Sequence, residues 1–252
     1  MDTGEYNRKF YSGIFGKKAD RYYRIQKKKI EAVLNLFERH ENGKVLDIGC
    51  GDGLITSLIG DITKAEVHGV DISKSAVSEA RKKGVLARTL NVDRDGFPFK
   101  KNTFDSVFCG DLIEHLYDTE KLLDDVIQIM KPGGYLIISV PNIASWYNRC
   151  FLLLGYMPVW IESSLKTYTG NPFIKDGMGH IHAFTRDSLK ELLRLKGFSI
   201  ENVSGSPVLA DGTRSKWKEK LWNGVDSFFA RKATLASTLI FKARKPGKGD
   251  MS

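Results

Sequence analysis

The run Val45-Leu46-Asp47-Ile48-Gly49-Cys50-Gly51-Asp52-Gly53 constrains this chain more than any other feature. Lys44 to Ile48 is short, β-branched and apolar, which reads as a parallel strand buried on both faces. It closes in glycines and gives way to helical patterning. A glycine-rich turn at that junction lets a ligand approach the backbone, and the first N–H groups of the following helix are free to receive it. A dinucleotide fingerprint would read G-x-G-x-x-G. Here the turn is G-C-G-D-G, and Asp52 inside it would repel a pyrophosphate and suits a cationic ligand. Twenty residues beyond Gly51, Val70-Asp71 closes the next strand with a carboxylate that can accept both hydroxyl protons of a ribose. The expected ligand therefore carries an adenosine-like ribose.

Around this junction the periodicity alternates. Helices are expected at 17–40, 53–60, 73–83, 118–130 and 185–197, and strands at 66–71, 85–91, 104–109, 134–140, 198–204 and 234–243. Alternation of this kind implies a doubly wound α/β sheet, mostly parallel, with crossover helices. Lys131-Pro132-Gly133-Gly134 stops the helix before it, since proline cannot continue a helix and glycine supplies the turn. Two stretches fall outside the alternation. Residues 142–184 are rich in aromatics, Gly and Pro, and residues 205–233 are basic and contain tryptophan. The expected organisation of residues 1–252 is a single domain with an N-terminal helix, an insertion or lid at 142–184 beside the acceptor, and a disordered tail at 245–252. Ile143 to Ile161 is interrupted by Asn148, Arg149, Gly155 and Pro158, and falls short of the ~20 apolar residues of a membrane span.

Composition excludes little but locates charge. Hydrophobic residues make up 42% and charged residues 27%, which fits a globular protein and disfavours disorder. The net charge of +9 is uneven: residues 8–29 and 214–252 hold 19 Lys/Arg against four acids, and the remainder is net acidic. Basic ends of this kind can meet nucleic acid, an anionic lipid surface or an acidic substrate. The N-terminal stretch has no continuous apolar run for export, and Cys50, Cys109 and Cys150 show no CxxC spacing, so a cytoplasmic protein with reduced thiols is expected.

Five motifs in order resemble the class I S-adenosylmethionine-dependent methyltransferases over roughly residues 44–204. They are Val45–Gly53; Asp71; Asp93-Arg94-Asp95-Gly96-Phe97-Pro98-Phe99; Phe104–Gly110; and the Lys131–Gly134 turn with its strand. The resemblance implies a Rossmann-like methyltransferase fold, a seven-stranded sheet in the order 3-2-1-4-5-7-6 with strand 7 antiparallel and an insertion after strand 5. It implies S-adenosylmethionine as cofactor and S-adenosylhomocysteine as product. Asp47, Gly49, Cys50, Gly51, Asp71, Ile72, Val92, Asp93 and Gly110 would surround the cofactor, with Val92 and Asp93 at adenine and Gly110 near the sulfonium.

The methyl group arrives activated, so positioning and exclusion of water carry most of the chemistry, with a base needed only for a protonated acceptor. Asp111-Leu112-Ile113-Glu114-His115 follows strand 4. It resembles the E-x-x-E-H of ubiquinone-type O-methyltransferases and of small-RNA 3′-end methyltransferases, which use it with a divalent metal. A metal here would be held by Asp111, Glu114, His115 and His182, but Asp111 is one methylene shorter than the glutamate of that motif, and the metal-free reading is preferred. Glu114, His115 and His182 are then the candidate catalytic residues, with a neutral imidazole suited to act as base near pH 7. Trp146, Tyr147, Tyr156, Trp160, Tyr168 and Phe173 could wall a cleft or stack on an acceptor. The leading expectation is methylation of an oxygen, with nitrogen ranked below it, of a small-molecule, quinone-like, glycan or lipid-linked acceptor; for a lipid-linked one, Lys216, Lys218, Lys220 and Trp222 could add peripheral membrane contact. RNA methylation ranks lower, because the basic ends supply charge without a recognised RNA-binding motif. A nicotinamide-dependent oxidoreductase ranks lower for want of G-x-G-x-x-G, and a scaffold that binds the cofactor without turnover is the nonenzymatic alternative.

Overall fold

A computed structural model of the protein describes residues 21–161, 163, 169–173, 179–210 and 215–247. Seven strands form one sheet: β1 Lys44–Ile48, β2 Glu66–Asp71, β3 Leu86–Thr89, β4 Phe104–Gly110, β5 Met130–Pro141, β6 Ser199–Ser206 and β7 Thr238–Arg244. Their order is β3-β2-β1-β4-β5-β7-β6. β7 runs antiparallel to both β5 and β6, and the other neighbouring pairs are parallel. This is the fold class and strand order that the motifs imply.

The helices α1 Arg21–Ile25, α2 Lys27–Leu34, α3 Leu54–Thr63, α4 Lys74–Lys82, α5 Thr119–Ile129, α6 Trp146–Leu153, α7 Arg186–Leu195 and α8 Lys216–Phe229 complete the chain. They cover both faces of the sheet. On one face α5 and α7 set Leu122, Leu123, Val126, Leu189 and Leu193 against Leu46, Ile48, Val107 and Ile138. On the other, α2 and α3 set Ile30, Val33, Leu58 and Ile59 against Val45, Tyr135 and Ile137. Full burial of side chains such as these stabilises the fold by ~1.5–3 kcal/mol each.

Where the elements depart from the periodicity, hydrogen bonds explain it. The helix expected over 17–40 is divided at Gln26 and ends at Leu34, where Leu36 and Phe37 N–H groups turn back to Val33 and Leu34 carbonyls; residues 17–20 lie outside the described residues. Phe37 is buried nonetheless. β7 begins four residues later than expected because Ala236 N–H bonds to Lys232 carbonyl, closing a turn, and the Ser237 hydroxyl is drawn to Asp226. Lys245 still pairs with Gly133 and Gly134 across β5, and residues 248–252 lie outside the described residues. No helix among the described residues is long and apolar enough to cross a membrane.

Candidate active site

The carboxyl ends of β1 and β4 open into a cavity of about 250 Å³, lined by Tyr23, Lys29, Asp47, Gly49, Gly51 and Gly110 among others. The turn that forms its floor needs glycine. Gly53 has φ +76°, and a Cβ there would lie 2.7 Å from the Ala80 Cα, so α4 could not pack as it does. At Gly51, φ +53°, an added Cβ would meet no atom within 4 Å, which leaves space in front of the backbone. Gly51 N–H donates to Asp71 Oδ2 at 2.9 Å and Ser73 N–H to Asp71 Oδ1 at 2.8 Å, so the carboxylate is fixed beside the turn. Asp47 is buried and accepts from the Thr56 hydroxyl at 2.5 Å. Burial pushes its carboxyl up to about 7, with the Thr56 hydrogen bond pulling down and the Asp71 charge pushing up.

The roof comes from the N-terminal helices. Tyr23 OH donates to Asp52 Oδ1 at 2.6 Å, and Lys83 Nζ lies 3.1 Å from Asp52 Oδ2. Burial raises Asp52, but the bonds from Tyr23, the Leu54 N–H and Lys83 together hold it below the usual carboxylate range. Its charge is thus answered within the protein. Cys50 lines the cavity by position while its side chain packs with Val77, Ala80 and Val85, and burial pushes the thiol up to about 12. Asp71, Ile72, Val92 and Asp93 lie outside the enclosed cavity, at the end of β2 and beyond β3. Ile72 is 67% exposed, Val92 packs against the core, and Asp93 Oδ1 accepts the Tyr117 N–H at 2.9 Å.

A second cavity, about 180 Å³, lies beyond β4 and includes Gln26, Asp111, Glu114, His115, Trp160 and His180 in its walls. Asp111, with φ +49°, accepts the Ser139 hydroxyl at 2.9 Å and forms an ion pair with the buried Lys29. Lys29 lines the first cavity and Asp111 the second, so this pair stands between them. Glu114 sits in a 3₁₀ turn, Ile113–His115, and is 1% exposed. Burial, and then the Asp111 charge, push its carboxyl up to about 8. Neither of its side-chain oxygens has a hydrogen-bond partner among the described residues.

One carbonyl brings the second histidine to this place. Ile181 N–H and His182 N–H both donate to Glu114 O, at 2.9 and 3.0 Å. Two successive donors on one acceptor bend the segment, so His180 and His182 do not share a face. His180 joins the cluster, its ring 4.6 Å from that of His115, whereas His182 Nε2 lies 3.4 Å from Tyr117 O. Ligating atoms of Glu114, His115 and His180 all lie within 4.8 Å of one another. His115 Nδ1 is 3.1 Å from Gly179 O and His180 Nδ1 3.2 Å from Trp160 O. A carbonyl can only accept, so each Nδ1 is placed to donate to it. Trp160 presents its carbonyl from φ +77°, a left-handed conformation that costs a non-glycine residue ~1–3 kcal/mol.

The side chains that converge differ from the set expected from the sequence. Asp111 is committed to Lys29 and Ser139, His182 is elsewhere, and His180 replaces it. One carboxylate and two imidazoles are donors that suit a divalent transition metal. Sequence reasoning missed Gln26, Lys29 and His180. Lys29 stands in Lys27-Lys28-Lys29 beside Ile30, and only its phase relative to the apolar face of the helix could have set it apart. Tyr168, expected in the cleft wall, lies outside the described residues.

A model of the methyltransferase domain matches residues 19–203. The chain belongs to the class I S-adenosylmethionine-dependent methyltransferase family. Its cofactor is S-adenosylmethionine, and the oxidoreductase alternative falls. This methyltransferase is 32% identical over 179 residues to the ubiquinone biosynthesis O-methyltransferase of Alkalilimnicola ehrlichii, covering 69% of this chain and 70% of that protein. It is 34% identical over 101 residues to phosphoethanolamine N-methyltransferase 2 of Caenorhabditis elegans, covering 38% of this chain and only 23% of that longer protein. Phosphoethanolamine N-methyltransferase 2 of Haemonchus contortus, solved with S-adenosyl-L-methionine, shares the fold at 20% identity, with a TM-score of 0.59 over 98% of this chain and 57% of that one.

Proposed function

We propose that this methyltransferase moves the methyl group of S-adenosylmethionine to an oxygen of a small-molecule, quinone-like, glycan or lipid-linked acceptor seated in the second cavity. The observation that carries the reading is the placement of two cavities on either side of the Lys29–Asp111 pair. Asp47, Gly49, Gly51 and Gly110 would hold the amino-acid and sulfonium part of the cofactor, and the backbone of Cys50 would follow the turn. Asp71 would take the ribose hydroxyls, with Ile72, Val92 and Asp93 around the adenine.

An acceptor oxygen aligned opposite sulfur forms the O–CH₃ bond as the C–S bond breaks, and S-adenosylhomocysteine leaves. The hydroxyl proton passes to an imidazole Nε2 of His115 or His180, with Glu114 orienting the acceptor. The buried walls exclude water, so the reaction depends mainly on alignment. A second reading has a specific observation behind it: three Lewis bases converge and neither Glu114 oxygen is paired among the described residues. A divalent cation held by Glu114, His115 and His180 would polarise the acceptor hydroxyl and ease its deprotonation.

The test is transfer from isotopically labelled S-adenosylmethionine to 3,4-dihydroxybenzoate and to phosphoethanolamine, read by mass spectrometry, with and without chelator. Label on a catechol oxygen supports the proposal, and loss on chelation would bring the metal to the front. Label on phosphoethanolamine nitrogen would overturn O-methylation. Cofactor binding with no transfer across acceptor classes would favour a scaffold.

A further inference from the structure

The described residues between β5 and α7 and between β6 and β7 come together as a lobe beside the second cavity. Trp146 stacks on Phe229 with ring centroids 5.1 Å apart and lies 5.5 Å from Trp222, which joins α6 to α8. Between them is a third cavity of about 560 Å³, lined by Tyr147, Phe151, Trp160, Phe173, Val208 and Trp222 with Val159. Its size lies within the ~300–1,000 Å³ of ligand pockets. Polar atoms of the lining residues are paired with one another: Trp160 Nε1 donates to Tyr147 OH at 2.8 Å, and Trp222 Nε1 to Val208 O at 3.1 Å. A sugar or nucleotide would lose hydrogen bonds to water here and gain few in return. Trp160 and Val208 also line the second cavity, so the two spaces share a wall at the acceptor site.

The outside of the same lobe is equally distinctive. Eight of the twelve exposed large hydrophobic side chains among the described residues belong to it, including Leu152, Leu153, Leu154, Trp217, Leu221 and Phe228. Leu153 is 87% exposed. The exposed bases Lys216, Lys218, Lys220, Arg231 and Lys232 belong to the same lobe, with Lys218 over the Trp217 ring and Arg231 over that of Phe228; of the acids among its described residues, Glu219 is half-buried and Asp226 is buried and committed to Trp146, Val208 and Ser237. Exposed apolar side chains accompanied by lysine and arginine suit the boundary of an anionic bilayer. A symmetric dimer through this face would bring like charges together.

We infer that the acceptor carries a long apolar chain, that the aromatic cavity between α6 and α8 holds this chain, and that the leucines and bases of the lobe dock the protein on the anionic membrane in which such an acceptor dissolves. This presupposes that Glu114, His115 and His180 face the reacting end of the acceptor. The chain would pass Trp160 and Val208 to leave its hydroxyl at the polar cluster.

Two measurements on the full chain test it. In the first, the protein is co-sedimented with vesicles of equal parts phosphatidylcholine and phosphatidylglycerol, and with phosphatidylcholine alone. Binding to the mixed vesicles is expected to fall with salt and to weaken at least ~10-fold in Leu153→Glu/Leu154→Glu. It should weaken on the order of 100-fold in Lys216→Glu/Lys218→Glu/Lys220→Glu, at about fivefold per base. In the second, 1-dodecanol is titrated against tryptophan emission. A saturable change is expected, lost when Val159→Phe, which lines the aromatic cavity and not the second one, fills it in a protein whose melting temperature is retained. Vesicle binding indifferent to phosphatidylglycerol, self-association through the leucines in its place, or no saturable response to dodecanol would overturn the inference. Methylation of 3,4-dihydroxybenzoate and binding of S-adenosylhomocysteine need neither vesicle nor chain, so their persistence in these variants would leave the proposed reaction standing while the docking inference fell.

Discussion

The cofactor side and the acceptor side of this molecule are built over different sequence distances. On the cofactor side, Asp47 meets Thr56 nine residues away and Gly51 meets Asp71 twenty residues away. On the acceptor side, His115 meets Gly179 across 64 residues, Trp146 meets Asp226 across 80, and Asn142 meets Ala236 across 94. A strand-turn-helix unit determines its own geometry, so a ligand that uses the backbone of that unit is bound by local spacing. The acceptor side has no such unit. Its shape depends on buried polar residues that join segments distant in the chain, and each of those residues also satisfies groups that would otherwise be buried without partners.

The largest expected effect separates the two sides from the cofactor end. Asp71→Ala would remove the proposed acceptor of two ribose hydroxyls, each such charge-assisted bond contributing ~1.5–3 kcal/mol, so affinity for S-adenosylhomocysteine should fall on the order of 10²–10⁴-fold by calorimetry. Vesicle binding by the distant lobe should stay within about twofold of the native protein. A comparable loss of vesicle binding would show that the two sides are not independent.

Asp226→Ala breaks the comparison from the other end. One buried carboxylate accepts from Trp146 Nε1 at 2.8 Å, Val208 N–H at 2.8 Å and the Ser237 hydroxyl at 2.7 Å. Its removal leaves three donors without an acceptor and should destabilise the protein by ~3 kcal/mol. At ~2–4 °C per kcal/mol for a chain of this size, melting should drop ~6–12 °C by calorimetric scan. Affinity for S-adenosylhomocysteine should change by less than about threefold, because the side-chain hydrogen bonds of Asp226 among the described residues go to Trp146, Val208 and Ser237, none of which lines the first cavity.

Glu114→Gln keeps the shape of the polar cluster and removes its carboxylate. Turnover of 3,4-dihydroxybenzoate should slow by ~10²-fold, within the range for loss of a group that positions or relays a proton. His180→Ala should do the same, and His182→Ala should cost less than about threefold. Equal losses at positions 180 and 182 would contradict the bend that separates them.

The contrast also explains what could be read without a structure. Asp47, Gly51, Asp71 and the sheet order were legible because parallel strands ending in glycine or acid follow one another at fixed intervals. The polar cluster was half legible. Glu114 and His115 stand together in sequence, but the partner expected at His182 is in fact His180, since the bend at the Glu114 carbonyl has no signature in residue type. Lys29 was hidden by its neighbours Lys27 and Lys28. Only the fold shows that one of three lysines is buried against Asp111, and that the helix carrying it roofs the cofactor cavity. Residue type does not mark Asp226, one acid in a basic stretch, because its role depends on Trp146, Val208 and Ser237.

The smallest expected effect concerns Asp47, the one ionisable side chain of the glycine turn that is fully enclosed. Burial holds its carboxyl up at about 7, so near neutral pH the ligand-free protein is a mixture of protonated and ionised forms. S-Adenosylmethionine brings a sulfonium and an ammonium group, and a positive charge nearby favours the carboxylate. The sign then follows from linkage: binding selects the ionised form, so below about pH 7 the cofactor must expel a proton, and above it there is none to expel. Affinity should therefore rise by at most tenfold per pH unit up to about 7 and level off beyond. Calorimetry in two buffers of different ionisation heat should record proton release at pH 6 and almost none at pH 8. S-Adenosylhomocysteine lacks the sulfonium charge and should show a shallower slope. Asp47→Asn retains an oxygen acceptor for the Thr56 hydroxyl and should flatten both. A slope unchanged in that variant would assign the proton to another group and remove Asp47 from the electrostatics of the cofactor side.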